Sequence, residues 1–201
     1  MDCDYMRGGS QILEGRYLWR RHRHFVDYLD SFEREFADLG SLNTNAYIIG
    51  KRLLYTNKVH RYFIEGEFAR GLQLVPEIER FMEKYDRHLD IHYKMLMYYK
   101  IACLYFGEGN YIKCIEYLGL ITTTKDHRIR RDLQCFARIL NLIASYEAGM
   151  DYNLDYQIRS VYSFLVKMGD LQAVQKEMLA FLKKLNSMYA DEWREELRML
   201  Y

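Results

Sequence analysis

Apolar side chains recur along this chain at helical spacing. Phe25, Leu29, Phe32, Phe36 and Leu39 step by four and three, the stripe of a helix that buries one face, and Gly40 follows where a left-handed C-terminal cap belongs. Nearer the end, Leu171, Val174, Met178, Leu182, Leu185 and Tyr189 repeat the pattern. Between these stretches the spacing predicts helices at 45–64, 67–86, 91–106, 111–122, 128–148, 155–168 and 170–189. No segment alternates at period two for long enough to predict a strand. Pro76 is the one proline, and Leu, Met, Tyr, Glu, Lys and Arg abound, so little in the chain interrupts a helix. The predicted class is all-α.

The connections organise these helices. "YFIEGEFARGL" at 62–72, "YFGEGNYIKCI" at 105–115 and "FLVKMGDLQAV" at 164–174 each end a helix on an apolar residue, place a glycine at the turn, add a polar residue and start the next helix. Glycine takes a left-handed conformation at little cost, so Gly66, Gly109 and Gly169 suit a chain that ends a helix and reverses within a few residues. The GEGN run at 107–110 is then a corner and not a phosphate cradle. A nucleotide loop follows a strand and carries a third glycine or a GK[ST] ending. A helical pattern precedes Gly107, and no such ending follows.

On these residues the chain resembles a tetratricopeptide-repeat (TPR) protein. In "YYKIACLYFGEGNYIKCIEYLGLITTTKD", 98–126, Tyr98, Ile101, Ala102, Tyr105, Gly109, Tyr111, Cys114, Leu118 and Ile121 take the repeat's characteristic positions in order, and Asp126 replaces its final proline. Val59, Tyr62, Gly66, Phe68, Gly71, Val75 and Ile78 fit an earlier repeat more loosely, and Tyr146, Gly149 and Tyr152 suggest a third hairpin. Gly66 and Gly109 stand farther apart than the family's 34-residue period, which marks the resemblance as divergent. The resemblance implies a single α-solenoid of antiparallel helix hairpins wound as a right-handed superhelix. It would run from a flexible N-terminus at 1–9 through an N-terminal helix or cap at 10–40, about three to four hairpins over 41–190, and a C-terminal helix or cap at 191–201.

The same resemblance implies a concave groove, lined by the first helix of each pair, that holds a peptide or partner helix. Its lining would include Leu53, Asn57, His60 and Phe63 from the first hairpin, Leu96, Tyr99, Lys100, Cys103 and Phe106 from the second, and Asn141 from the third. Asn57, Lys100 and Asn141 would form a column of hydrogen-bond donors. Thr56 and Ile64 stand where carboxylate-clamping members of the family often carry basic residues, a departure that puts that specialised role in doubt.

Composition narrows the function classes. The chain has 201 residues, half of them hydrophobic, and a formal net charge of +1, so it can bury an ordinary core and projects no strong field toward nucleic acid or anionic membrane. One local patch stands out. "RYLWRRHRHF", 16–25, sets Arg16, Arg20, Arg21 and Arg23 among Tyr17, Trp19 and Phe25, residue types that grip phosphates while bases stack. It is the candidate for RNA or single-stranded nucleic-acid binding, against the alternative of a solvated basic face. The start of the chain lacks a secretory pattern and no apolar run reaches membrane-span length, so a cytoplasmic protein with no membrane partner is expected. Cys3, Cys103, Cys114 and Cys135 form no CxxC pair, which fits reduced thiols.

Catalytic and metal chemistry find little support. His88 and His92 stand four apart, but Asp90 between them reads as a helix cap that would place them on different elements. No serine lies in a GxSxG elbow, neither Cys103 nor Cys114 has a neighbouring histidine, and Glu77, Glu79 and Glu83 read as a wet helix face. The expectation is a non-enzymatic interaction module with no catalytic residue, metal or cofactor. Trp193, Leu197 and Leu200 form an apolar stripe that suits a cap or a dimer contact, and the oligomeric state is left open.

Overall fold

The computed structural model describes residues 22–38, 43–124, 129–150 and 154–168. Among them the protein is all-α, with no strand. The helices are α1 (His22–Asp38), α2 (Thr44–Glu65), α3 (Phe68–Leu72), α4 (Val75–Lys84), α5 (Ile91–Gly107), α6 (Tyr111–Thr122), α7 (Arg131–Glu147) and α8 (Leu154–Met168), with a 3-10 turn at Asp86–His88. The chain forms two compact units, the first ending at Glu108 and the second beginning at Gly109. Gly40, Gly169, the helix expected at 170–189 and the stripe from Trp193 to Leu200 lie outside the described residues.

Helix starts follow their caps. Asn43 accepts the Ala46 N–H at 2.8 Å, Asp90 accepts the Tyr93 N–H at 2.8 Å and Asn110 accepts the Lys113 N–H at 3.1 Å, each serving an amide without a helical partner. The cap at Asp90 puts His88 in the 3-10 turn and His92 on α5, on separate elements.

Gly66 and Gly149 end α2 and α7 in the same way. Gly66 has φ +68°, its N–H reaches the Phe63 carbonyl at 3.3 Å, and the Glu67 N–H reaches the Tyr62 carbonyl at 2.9 Å. Gly149 has φ +69°, with matching bonds of 2.9 Å to Tyr146 and from Met150 to Ser145. This Schellman pairing needs a left-handed residue at the position that each glycine fills.

Two boundaries depart from the sequence expectation. The helix expected at 67–86 divides into α3 and α4. Gln73 and Leu74 donate only three residues back, to Arg70 and Gly71, and Pro76 has no N–H to offer Leu72, so the ladder breaks beside a glycine of low helix propensity. The helix expected from 128 begins at Arg131. Arg130 ahead of it takes φ +46° while its guanidinium holds Asp132, with Nε 3.0 Å from Oδ1 and Nη2 2.6 Å from Oδ2.

In the first unit α1 lies antiparallel on α2. Phe25, Leu29, Phe32 and Phe36 are all buried and pack with Leu54, flanked by Tyr47, Ile49 and Leu53. Each such side chain contributes about 1.5–3 kcal/mol by leaving water. Asp30 pairs with Arg61 at 3.0 Å and Glu33 with Lys58, bracketing the apolar strip.

Past Gly66 the chain returns as α3, which packs against both α2 and α5. Contacts between α2 and α5 advance in one direction: Arg52 with Asp90 at 2.9 Å, Thr56 with Met97 at 3.7 Å, then His60 beside Lys100. These two helices are therefore parallel neighbours, with the short α3 against both.

In the second unit, α7 packs against α6 and α8. The buried side chains include Cys114, Tyr117, Leu118 and Ile121 from α6, Leu133, Cys135, Ile139 and Leu142 from α7, and Ile158 and Val161 from α8. Among the described residues no helix is long and apolar enough to cross a membrane.

Candidate partner-binding face

The expected groove residues of the first unit come from the parallel pair α2 and α5. His60 on α2 is half-buried, its ring in a T-shaped pair with Phe25 with centroids 6.5 Å apart. Burial, helped by the nearby Lys100 cation, lowers its pKa to about 4, so at neutral pH it is an uncharged imidazole. One turn of α5 from Lys100, the Cys103 thiol interacts with Tyr99. Burial outweighs both that contact and Lys100 and pushes the thiol up to about 11, which leaves it protonated and a poor nucleophile. Phe106 continues this face as a half-buried ring.

Phe63 stands 47% exposed at the end of α2 and meets Phe68 edge-on at 5.9 Å. Phe68 in turn lies against Gly107, where an added Cβ would come within 2.5 Å of its ring. The fold thus brings His60, Tyr99, Lys100 and Cys103 into one neighbourhood, with Phe63 and Phe106 toward the C-terminal ends of the same two helices.

Asn57 does not line this face. It is buried at 5% exposure and its side-chain amide donates to the Leu53 carbonyl at 2.8 Å. The reason is geometric: α2 packs against α1, α3 and α5, so a position that would be exposed on a two-sided helix is enclosed here. The donor column expected from Asn57, Lys100 and Asn141 accordingly loses its first member. Asn141 is a half-buried residue of α7 in the second unit. Of the basic-aromatic candidates, Arg16, Trp19, Arg20 and Arg21 lie outside the described residues, and Arg23 lies in the first turn of α1 with its side chain outside them.

A second polar cluster, at the other end of α2, escaped the sequence reading. Glu77 on α4, expected on a wet face, accepts the Tyr55 hydroxyl at 2.7 Å and Lys51 at 3.3 Å, while Lys51 lies 5.1 Å from the Tyr55 ring centre. The Tyr55 bond, against the opposing pull of burial and with help from Lys51, holds the Glu77 carboxyl below its usual range. Burial and Glu77 together push the Tyr55 phenol strongly upward. Beside it, Arg52 stacks 4.6 Å over Tyr93 and pairs with Asp90. Burial favours the neutral Asp90, but the Tyr93 N–H and Arg52 outweigh it and keep the carboxylate charged. Lys51 and Tyr55 share a helix face at i and i+4, a visible signal. Their partner Glu77 lies beyond two turns of chain.

The two tyrosines separate a satisfied hydroxyl from an orphaned one. Tyr93 is 5% exposed and its hydroxyl is buried with no partner. Tyr55→Phe should cost about 1–2 kcal/mol in urea denaturation, because it removes a hydrogen bond to a charged, half-exposed acceptor. Tyr93→Phe removes an unsatisfied polar atom and should be neutral or stabilising by up to about 1 kcal/mol. The reverse ranking would contradict this account of the cluster.

In comparisons with known proteins, the chain matches no family model, no curated sequence and no solved structure.

Proposed function

We propose that this chain is a divergent TPR-like helical-repeat module, non-enzymatic and cytoplasmic, that holds a peptide or partner helix against the face formed by α2 and α5. The observation that carries the reading is the parallel α2–α5 pair with α3 against both, since consecutive hairpins of a solenoid stack their first helices side by side with the second helix behind them. On that arrangement α1, lying antiparallel on α2, serves as the preceding helix of the array.

The face has the composition of a contact surface. It offers aromatic rings at Phe63, Tyr99 and Phe106, a neutral imidazole at His60, a protonated thiol at Cys103 and one cation at Lys100. Rings supply large contact area at small entropic cost, which suits recognition of an apolar or amphipathic segment. Nothing in the set supplies an activated nucleophile.

The test is affinity capture from lysate, with and without nuclease, using the intact chain and a Phe63→Ala/Lys100→Ala variant, followed by binding measurements on the recovered partner. A partner should survive nuclease, and the variant should weaken it by tenfold or more, about 1.4 kcal/mol. Partners lost to nuclease in both forms would replace this reading with nucleic-acid binding through the basic-aromatic segment at 16–25.

A further inference from the structure

Arg138 lies half-buried in the middle of α7, and its surroundings are unusual for a cation. One terminal nitrogen donates to the Thr122 carbonyl at 3.2 Å, where α6 ends, and the guanidinium stands 3.9 Å over the Phe164 ring of α8. Among the described residues no carboxylate pairs with it, although Arg130, on the approach to the same helix, has Asp132. Burial lowers its pKa, opposed only by the Cys135 thiol.

A guanidinium carries five N–H donors in one plane. Stacking on Phe164 holds that plane in place, and the Thr122 carbonyl takes a single donor from one edge. An oriented fork with most of its donors unused fits a planar two-oxygen acceptor. Asn141, one turn further along α7 and also half-buried, adds an amide on the same side.

We propose that Arg138, set by Phe164 and Thr122 and assisted by Asn141, is a subsite for the side-chain carboxylate of an acidic segment of a protein partner. This subsite does not rest on the reading of the α2–α5 face. Charge complementarity identifies the occupant. A carboxylate at the fork supplies the counter-charge that the described surroundings of Arg138 lack, and its two oxygens match two parallel N–H bonds.

The probe is a short peptide rich in Asp and Glu, blocked at both ends, titrated into the full chain while the backbone amide resonances of α7, present in every variant, are followed by NMR. A peptide with Asn and Gln in place of the acids and inorganic phosphate form the other arms. The expected result is a saturable shift with the acidic peptide, none with its amide counterpart, and affinity about tenfold weaker in Arg138→Lys, which keeps the charge and loses the fork. Thermal unfolding of Arg138→Lys checks that the variant is folded. Arg138→Gln should abolish the response, and Asn141→Ala should weaken it. Saturation by phosphate with no preference for the peptide would overturn the assignment to a carboxylate. No saturation by either would overturn the subsite, leaving Arg138 as a cap on the last carbonyls of α6.

Discussion

Alanine at Gly50 is expected to destabilise the first unit by about 1–3 kcal/mol, although it replaces the poorer helix former with the best one. Gly50 lies within α2 where α1 crosses it, and a Cβ built there would come 2.1 Å from Cε2 of Phe36, 2.7 Å from Cδ2 and 2.8 Å from Cζ. A ring tip could move aside if it had room. Phe36 does not: it is buried, stacked on Phe32 with centroids 6.0 Å apart and set against Tyr47 at 5.9 Å. The overlap must therefore lift α1 from α2 or force the ring off its rotamer, and either outweighs the helix-propensity gain of about 1 kcal/mol. Urea denaturation measures the loss. The decisive comparison is the same substitution in a Phe36→Ala background, where the clash is gone and alanine at 50 should stabilise. An equal loss in both backgrounds would rule out the Phe36 contact as the cause.

The contrast between Gly50 and Gly66 explains what could be read from the sequence. Gly66 sits between an apolar helix end and a polar-apolar restart, so local chemistry announces its left-handed turn. Gly50 interrupts a helical pattern in "AYIIGKRLL", which hints at close packing and names no neighbour. The span of α6 matches its expected bounds, since Asn110 caps it and Leu118 and Ile121 keep its period. The break inside 67–86 was harder to see. Pro76 near a helix start is compatible with one long helix that begins later or with two short ones, and the packing of Gly71 near Leu104 and Tyr62 and of Phe68 on Phe63 and Gly107 fixes where α3 lies.

The site divides along the same line. Tyr99, Lys100, Cys103 and Phe106 follow from the period of one helix, and the closeness of Lys100 to His60 needs only that α2 and α5 be neighbours. Asn57 was misplaced because periodicity ranks the faces of a helix without counting how many are covered. The Tyr55–Glu77 bond joins residues 22 positions apart, and no local pattern marks Glu77 off from Glu79 or Glu83. Arg138 gave no sequence signal at all, as its character comes from Thr122 at the end of α6 and Phe164 on α8.

The seating of α3 on α5 should appear as a coupling between Gly71 and Leu104. Leu104 is fully buried, and truncation to alanine is expected to cost about 2–5 kcal/mol through lost transfer energy and the cavity left behind. A Cβ at Gly71 would come 2.9 Å from Leu104 Cδ2, 3.0 Å from Cδ1 and 3.1 Å from Tyr62 Cβ. The last atom is fixed to its backbone, and the first two belong to a side chain with no free space. Gly71→Ala alone should therefore lose about 1–2 kcal/mol despite its helix propensity. When Leu104 is already alanine, the methyl group at 71 enters the vacated volume and most of its cost disappears. The double variant should then be more stable than the sum of the two losses predicts, by about 1 kcal/mol. Strict additivity would mean that α3 does not rest on α5 through this contact, and the parallel α2–α5 pair would lose the element that packs against both helices. Because the proposed partner-binding face depends on that pair keeping its spacing, Gly71→Ala should also weaken partner binding without touching any residue of the face. A variant that unfolds more easily yet binds as tightly as the native chain would separate the packing of α3 from the shape of the face.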